Sequence, residues 1–146
     1  MYRLPRRMID ETFAILRSCG AGERECMVCW ASPWEDPSAL SDVIHVQHRA
    51  TSVIVDVDGG WLNRIWLDLA DQGLGVRVQI HTHGAEAGHS EIDDAFPLIH
   101  ETAFLSLVIP DFAFGPVGFE RAYLTEIQPD GSWSQVPVGS RFLVHE

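Results

Sequence analysis

The stretch "QIHTHGAEAGHSEIDDAF", residues 79–96, decides how this chain is read. It contains three of the chain's seven histidines, four carboxylates and a serine. Its first residues close the run "VRVQIHTH", which alternates with the period of two that marks a strand and stops at Gly84. Side chains two apart on a strand share a face, so His81 and His83 can reach one ion. Neutral imidazole is a good ligand for Zn²⁺, at about 2.0–2.1 Å. The downstream half, "HSEIDD", offers a third ligand. Ser90 starts a helix as its cap, and Asp93 then lies in the first turn, where an acid also suits the helix dipole. Two histidines and a carboxylate leave a fourth position open for water, the arrangement of a catalytic zinc site. Such a site needs a further carboxylate to take and return a proton.

Working outward, the 146 residues suit one domain, residues 1–146. Apolar residues make up 46% of the chain, with five Trp and seven Phe, enough to fill one core and to exclude disorder. The net charge of −11 disfavours nucleic acid, since the only basic cluster is Arg3, Arg6 and Arg7. No run of about 18 apolar residues exists, so no membrane span is expected. The start, "MYRLPRRMIDETF", lacks the apolar segment of a secretory signal. With an odd number of cysteines (Cys19, Cys26, Cys29), the expectation is a soluble, reduced, cytoplasmic protein.

The remaining elements follow from periodicity and breakers. A first helix is expected from about Pro5 to Ser18, with Met8, Phe13 and Leu16 on its apolar stripe and Gly20 and Gly22 stopping it. "ECMVCWAS" reads as a buried strand, "SPWEDPSALSD" as a loop and "VIHVQH" as a strand. "SVIVDV" reads as a strand or a lead-in to a helix over Gly60–Gln72, whose Trp61, Leu62, Ile65, Trp66 and Leu69 share a face. After the motif come a buried strand "FLSLVI", an aromatic loop "DFAFGPVG", a hairpin turning at Pro129-Asp130-Gly131, and a last strand "RFLVHE". This order describes a mixed α/β domain with helices on a twisted, partly antiparallel sheet.

The combination of Glu25, His81-Thr82-His83 and Ser90-x-x-Asp93 resembles the JAMM motif of the JAB/MPN metallopeptidases. The resemblance covers most of the chain and is nearest to small bacterial members encoded beside E1-like, E2-like and ubiquitin-like proteins. It implies a JAB/MPN-like (cytidine deaminase-like) fold, a mixed twisted sheet flanked by helices. It further implies that His81, His83 and Asp93 bind Zn²⁺, that Glu25 is general base and acid, and that Ser90 stabilises the oxyanion. The implied activity is processing or deconjugation of a ubiquitin-like protein at its C-terminal tail, with antiphage defence as a possible setting. The same fold also serves as a non-catalytic protein-binding scaffold, and the same site could trim an amino acid from a sulfur-carrier protein. Two departures stand out. Gly84 replaces the usual proline after the second histidine, and the spacer "GAEAGH" before Ser90 is one residue short. The short spacer leaves Asp93 and Asp94 both open as third ligand, with the Ser-x-x-Asp spacing favouring Asp93. Pro97 must shorten or bend the motif helix.

Other candidates carry less. Cys26-x-x-Cys29 invites a zinc or redox reading, but positions i and i+3 of a strand face opposite sides, so buried thiols are expected. His89 is open between orienting substrate and a loop role. His45 and His48 have no partner spacing and read as core or surface residues. Trp34, Phe112 and Phe114 lie in expected loops, where aromatics either line a partner groove or pack inward.

Overall fold

The computed structural model describes residues 1–95 and 97–146. Its centre is a six-stranded mixed sheet. In chain order the strands of the fold are β1 (Tyr2–Pro5), β2 (Met27–Pro33), β3 (Asp42–His45), β4 (His48–Ala50), β5 (Val55–Val57), β6 (Leu74–Thr82), β7 (Leu105–Ile109), β8 (Tyr123–Ile127), β9 (Trp133–Gln135) and β10 (Phe142–His145). The central sheet has the order β3-β2-β6-β7-β8-β9. Its one parallel pair is β6 with β7, and the others are antiparallel. β1 pairs in parallel with β10, and β4 with β5 forms a separate antiparallel hairpin. The expected mixed, twisted, helix-flanked α/β architecture is what forms.

A helix covers each face. α1 (Arg6–Gly20) buries Met8, Phe13 and Leu16 against Trp30, Val78, Ile80 and Leu107. Burying side chains of this size contributes about 2 kcal/mol each. The deepest polar contact on that face is the Trp30 indole N–H, which donates to Thr12 Oγ1 at 2.9 Å. α1 runs two residues past the expected end, and its left-handed capping residue is Ala21 (φ 52°), whose N–H returns to the Arg17 carbonyl. α2 (Gly59–Asp71) begins where the Asp58 carboxylate accepts the Trp61 N–H. It lies on the opposite face with Leu69 buried and Trp61, Ile65 and Trp66 half-buried, against Met27, Cys29, Val76 and Phe104.

Three expectations are corrected. The helix expected from about Pro5 starts at Arg6, and Tyr2–Pro5 instead form β1, because β10 offers them a ladder. "VIHVQH" is not one strand: Val46 N–H turns back to the Met27 carbonyl, and His48 starts the next ladder. The reduced state expected of the cysteines is also corrected: Cys19 and Cys26 are bonded as a disulfide, and only Cys29 is a free, buried thiol. The third helix, α3 (Glu91–Ala95), is only five residues long. It ends before Pro97, whose ring would crowd a longer helix.

Candidate metal centre

The end of β6 delivers the two histidines, His81 on the strand and His83 just past it. His81 and His83 alternate toward the α2 face, and Thr82 between them turns to the other side. There its Oγ1 accepts the Cys26 N–H at 2.9 Å, and its own N–H donates to the Cys26 carbonyl at 3.1 Å. Met27 pairs with His81 in the antiparallel ladder of β2 and β6. The same register, continued two residues, sets Glu25 opposite His83. Glu25 is held there by its N–H, which donates to the Thr51 carbonyl at 2.8 Å, and it is only 5% exposed. One oxygen of Glu25 and one nitrogen from each of His81 and His83 lie within 4.8 Å of one another.

α3 delivers the aspartate. Ser90 and Asp93 form a reciprocal cap: the Asp93 N–H donates to Ser90 Oγ at 3.1 Å, and the Ser90 N–H donates to Asp93 Oδ2 at 2.9 Å. This cap orients the carboxylate into the histidine pair. His81 Nε2 and His83 Nε2 are 3.2 Å apart, Asp93 Oδ1 is 3.2 Å from the first and Oδ2 is 3.2 Å from the second. Donors held at about 2.0–2.1 Å around a tetrahedral ion are roughly 3.3–3.4 Å apart, so this spacing fits a shared metal. Asp94 turns elsewhere. It pairs with His89 Nδ1, while His89 Nε2 lies 3.1 Å from Ser106 Oγ. Of the two aspartates, Asp93 is the one beside the histidines.

The electrostatics separate the four groups. Burial lowers the pKa of His81 and keeps its ring neutral, against the raising effect of Asp93. His83 is raised, first by its hydrogen bond with Asp93. Burial pushes the Asp93 carboxyl upward, but its hydrogen bonds with His81 and His83 outweigh that and hold it far below the usual carboxylate range. Glu25 goes the other way: burial pushes it up to about 7, with His83 opposing and Asp93 reinforcing. Two carboxylates with divided pKa values are the usual partition between a permanently charged ligand and a proton carrier.

Several supporting residues escape a reading of the sequence. Gln79 Nε2 donates to Ser106 Oγ at 3.1 Å, and Gln79 Oε1 accepts the Leu98 N–H at 2.8 Å. Trp133 Nε1 donates to the Asp94 carbonyl at 3.0 Å, and its ring stands 4.7 Å from that of His89. These contacts tie α3 to β9 through Asp94 and tie its flanking residues Leu98 and His89 to β6 and β7. The available signal was faint: Ser106 is the one polar residue of the apolar strand β7, and Gln79 is a polar residue between Val78 and Ile80. His89 is a support for α3, its side chain only 3% exposed. Gly84, where the motif usually has proline, lies under Phe112: a Cβ at 84 would come 2.8 Å from Phe112 Cζ. Of the loop aromatics, Trp34 and Phe114 are exposed, while Phe112 covers this strand end.

No family model matches the chain. Solved structures share its fold across nearly the whole length. The DSY2949 protein from Desulfitobacterium hafniense superposes with a TM-score of 0.72 at 16% identity, covering 100% of this chain and 94% of that one. The JAB1/MPN domain protein AF2198 from Archaeoglobus fulgidus gives 0.57 at 10% identity, covering 97% of each. The sheet is of the JAB/MPN fold, and it brings a His, His and Asp set with metal-fitting spacing beside a buried glutamate. The chain belongs to the family of the probable metalloprotease y4jG of Sinorhizobium fredii (strain NBRC 101917 / NGR234). The two are 34% identical over 139 residues, 92% of this chain and 86% of that protein.

Proposed function

We propose that this protein is a JAMM-type zinc metallopeptidase that cleaves at the C-terminal tail of a ubiquitin-like protein, as a processing or deconjugating enzyme. The observation that carries this reading is the meeting of Glu25, two residues before β2, with His81 on β6 and His83 just past its end, while Asp93 is aimed at the same pair. In this proposal His81, His83 and Asp93 hold Zn²⁺. Zinc held there supplies Lewis acidity, lowering the pKa of a water molecule and polarising a scissile carbonyl.

The chain's own residues do the rest. A Glu25 carboxylate oxygen takes the proton of the attacking water and hands it to the leaving amine. A carboxyl with a pKa of about 7 can do both at neutral pH. Ser90 Oγ already accepts the Asp93 N–H, so its own hydrogen is free to donate to a developing oxyanion. Next to the site lies a cavity of about 470 Å³ lined by Ile54, Val57, Leu62, His81, Ile92 and Asp93. Its apolar walls suit an extended tail. β5 pairs only with β4 among the described residues, which leaves an edge on which a tail could add a strand. E1-like and E2-like proteins are the corresponding partners of this reading.

The test is cleavage of a ubiquitin-like protein carrying a C-terminal extension, by zinc-loaded wild type beside Glu25→Ala and His83→Ala. Release of the extension by wild type alone is expected. No cleavage by wild type, or equal cleavage by all three, overturns the proposal.

A further inference from the structure

A second group of metal-ligating side chains stands apart from the Asp93 site. Cys19 comes from the end of α1, Cys26 from the residue before β2, His45 from the end of β3 and His48 from the start of β4. One ligand atom from each lies within 4.8 Å of all the others. Cys19 Sγ is 3.6 Å from His48 Nε2, and Cys26 Sγ is 3.4 Å from His45 Nε2. With Zn–S of about 2.3 Å and Zn–N of about 2.0–2.1 Å, tetrahedral angles put S and N roughly 3.6 Å apart. The pairs are therefore spaced as ligands of one ion are.

The histidine orientation is a second, independent sign. His48 Nδ1 lies 2.6 Å from the Val46 carbonyl, which can only accept. Nδ1 therefore carries the hydrogen, and Nε2, which faces Cys19, keeps its lone pair. A backbone carbonyl fixing the ring this way is the usual outer support of a ligating histidine. The cluster opens onto a cavity of about 820 Å³, which gives an ion a way in.

We propose that Cys19, Cys26, His45 and His48 form a structural Cys₂His₂ site for Zn²⁺, distinct from the peptidase site and filled when the Cys19–Cys26 bond is reduced. The conversion balances. A dithiol reductant donates two electrons and two protons, the S–S bond breaks to two thiols, and the reductant leaves as its own disulfide. Binding of the ion then expels the two thiol protons. Two thiolates and two neutral imidazoles around Zn²⁺ carry no net charge. The oxidised chain has a covalent clamp between α1 and β2. The reduced chain has an ionic one that also gathers the turn between β3 and β4. Both clamps hold Cys26, whose chain neighbour is Glu25.

The experiment is a Co²⁺ titration of protein reduced with dithiothreitol and desalted without oxygen. Wild type, Cys26→Ser, His48→Ala and His83→Ala are compared, and free thiols are counted by alkylation after denaturation. Sulfur ligation gives Co²⁺ a thiolate charge-transfer band in the near ultraviolet, which His and Asp ligands do not give. His83→Ala is expected to develop the band with one equivalent and wild type by two, and both are expected to lose it on adding Zn²⁺. Cys26→Ser is expected to lack the band, and His48→Ala to need more than tenfold more Co²⁺. Absence of the band in reduced wild type with free Cys19 and Cys26 overturns the proposal and assigns the pair as a plain disulfide. Unchanged titration of His48→Ala overturns the Cys₂His₂ assignment. Neither result bears on the peptidase reading, because the band in His83→Ala reports this site alone.

Discussion

Glu25→Gln should make the metal-free protein more stable while sharply lowering the proposed activity. Burial moves the Glu25 carboxyl from 4.5 to about 7 in the folded chain. The folded state thus holds this proton more tightly than the unfolded state does. Below pH 4.5 both states are protonated and Glu25 costs nothing. As pH rises from 4.5 to 7 the unfolded chain ionises first, stability falls, and above 7 the loss is complete. At about 1.4 kcal/mol per pKa unit the full cost is roughly 3 kcal/mol. Water in the open cleft screens the carboxyl, so about 1.5 kcal/mol is the working figure. Glutamine imitates the neutral acid and removes this cost. The assay is urea denaturation of chelator-treated wild type and Glu25→Gln at pH 4 and pH 8. Equal stabilities are expected at pH 4, and a gain of about 1.5 kcal/mol for the variant at pH 8. That gain corresponds to a rise in Tm of roughly 3–6 °C for a chain of this length. Peptidase kcat should fall by about 10²–10⁴. A variant no more stable than wild type at pH 8 would refute the argument that burial makes the ionised glutamate costly.

Four further outcomes are expected. Under oxidising conditions, with the sulfur pair closed, Asp93→Asn should lose bound zinc by elemental analysis and Asp94→Asn should keep it. The reverse pattern would assign the ligand to Asp94. His89→Ala removes the support of Asp94 and Ser106 under α3, so chelator competition should show zinc affinity weakened about 10–100-fold with the circular dichroism spectrum retained; an unchanged affinity would make His89 a bystander. Thr12→Val strands the buried Trp30 N–H and should cost about 1–3 kcal/mol in urea denaturation, whereas a neutral result would deny that bond a role. Cys29, buried with its thiol pushed up to about 12, should resist iodoacetamide at pH 8 in the native protein, and rapid labelling by mass spectrometry would contradict its burial.

What could be read without coordinates divides along physical lines. His81 and His83 were legible because a period of two aligns them whatever the strand packs against. Ser90 and Asp93 were legible because a helix cap has a fixed local spacing. The choice between Asp93 and Asp94 was not, because it depends on His89, whose ring is fixed by Ser106 on β7 and Trp133 on β9. β1 was hidden because its partner lies at 142–145. The Cys19, Cys26, His45 and His48 cluster was hidden for a similar reason. Cys26-x-x-Cys29 drew attention as a spacing, yet the partner of Cys26 is the cysteine at the end of α1, brought back by the turn after Ala21. His45 and His48 face it only because the chain bends at Val46. Periodicity describes one element at a time, and these contacts join three or four.

The ladder between residues 2–5 and residues 142–145 has a consequence for a chain made from one end. On a ribosome, β1 has only the bridge of Arg3 to Ala39 until β10 has been synthesised. Phe142, which packs on Trp30 and Tyr2, also arrives too late to cover them earlier. The cysteine and histidine cluster is complete once residue 48 has emerged, before β6 exists. The nascent protein therefore can close a clamp on its first third long before Glu25, His81, His83 and Asp93 meet. Truncation just short of Phe142 would leave that clamp and the metal centre intact in composition, while removing the four-residue ladder that β10 gives β1.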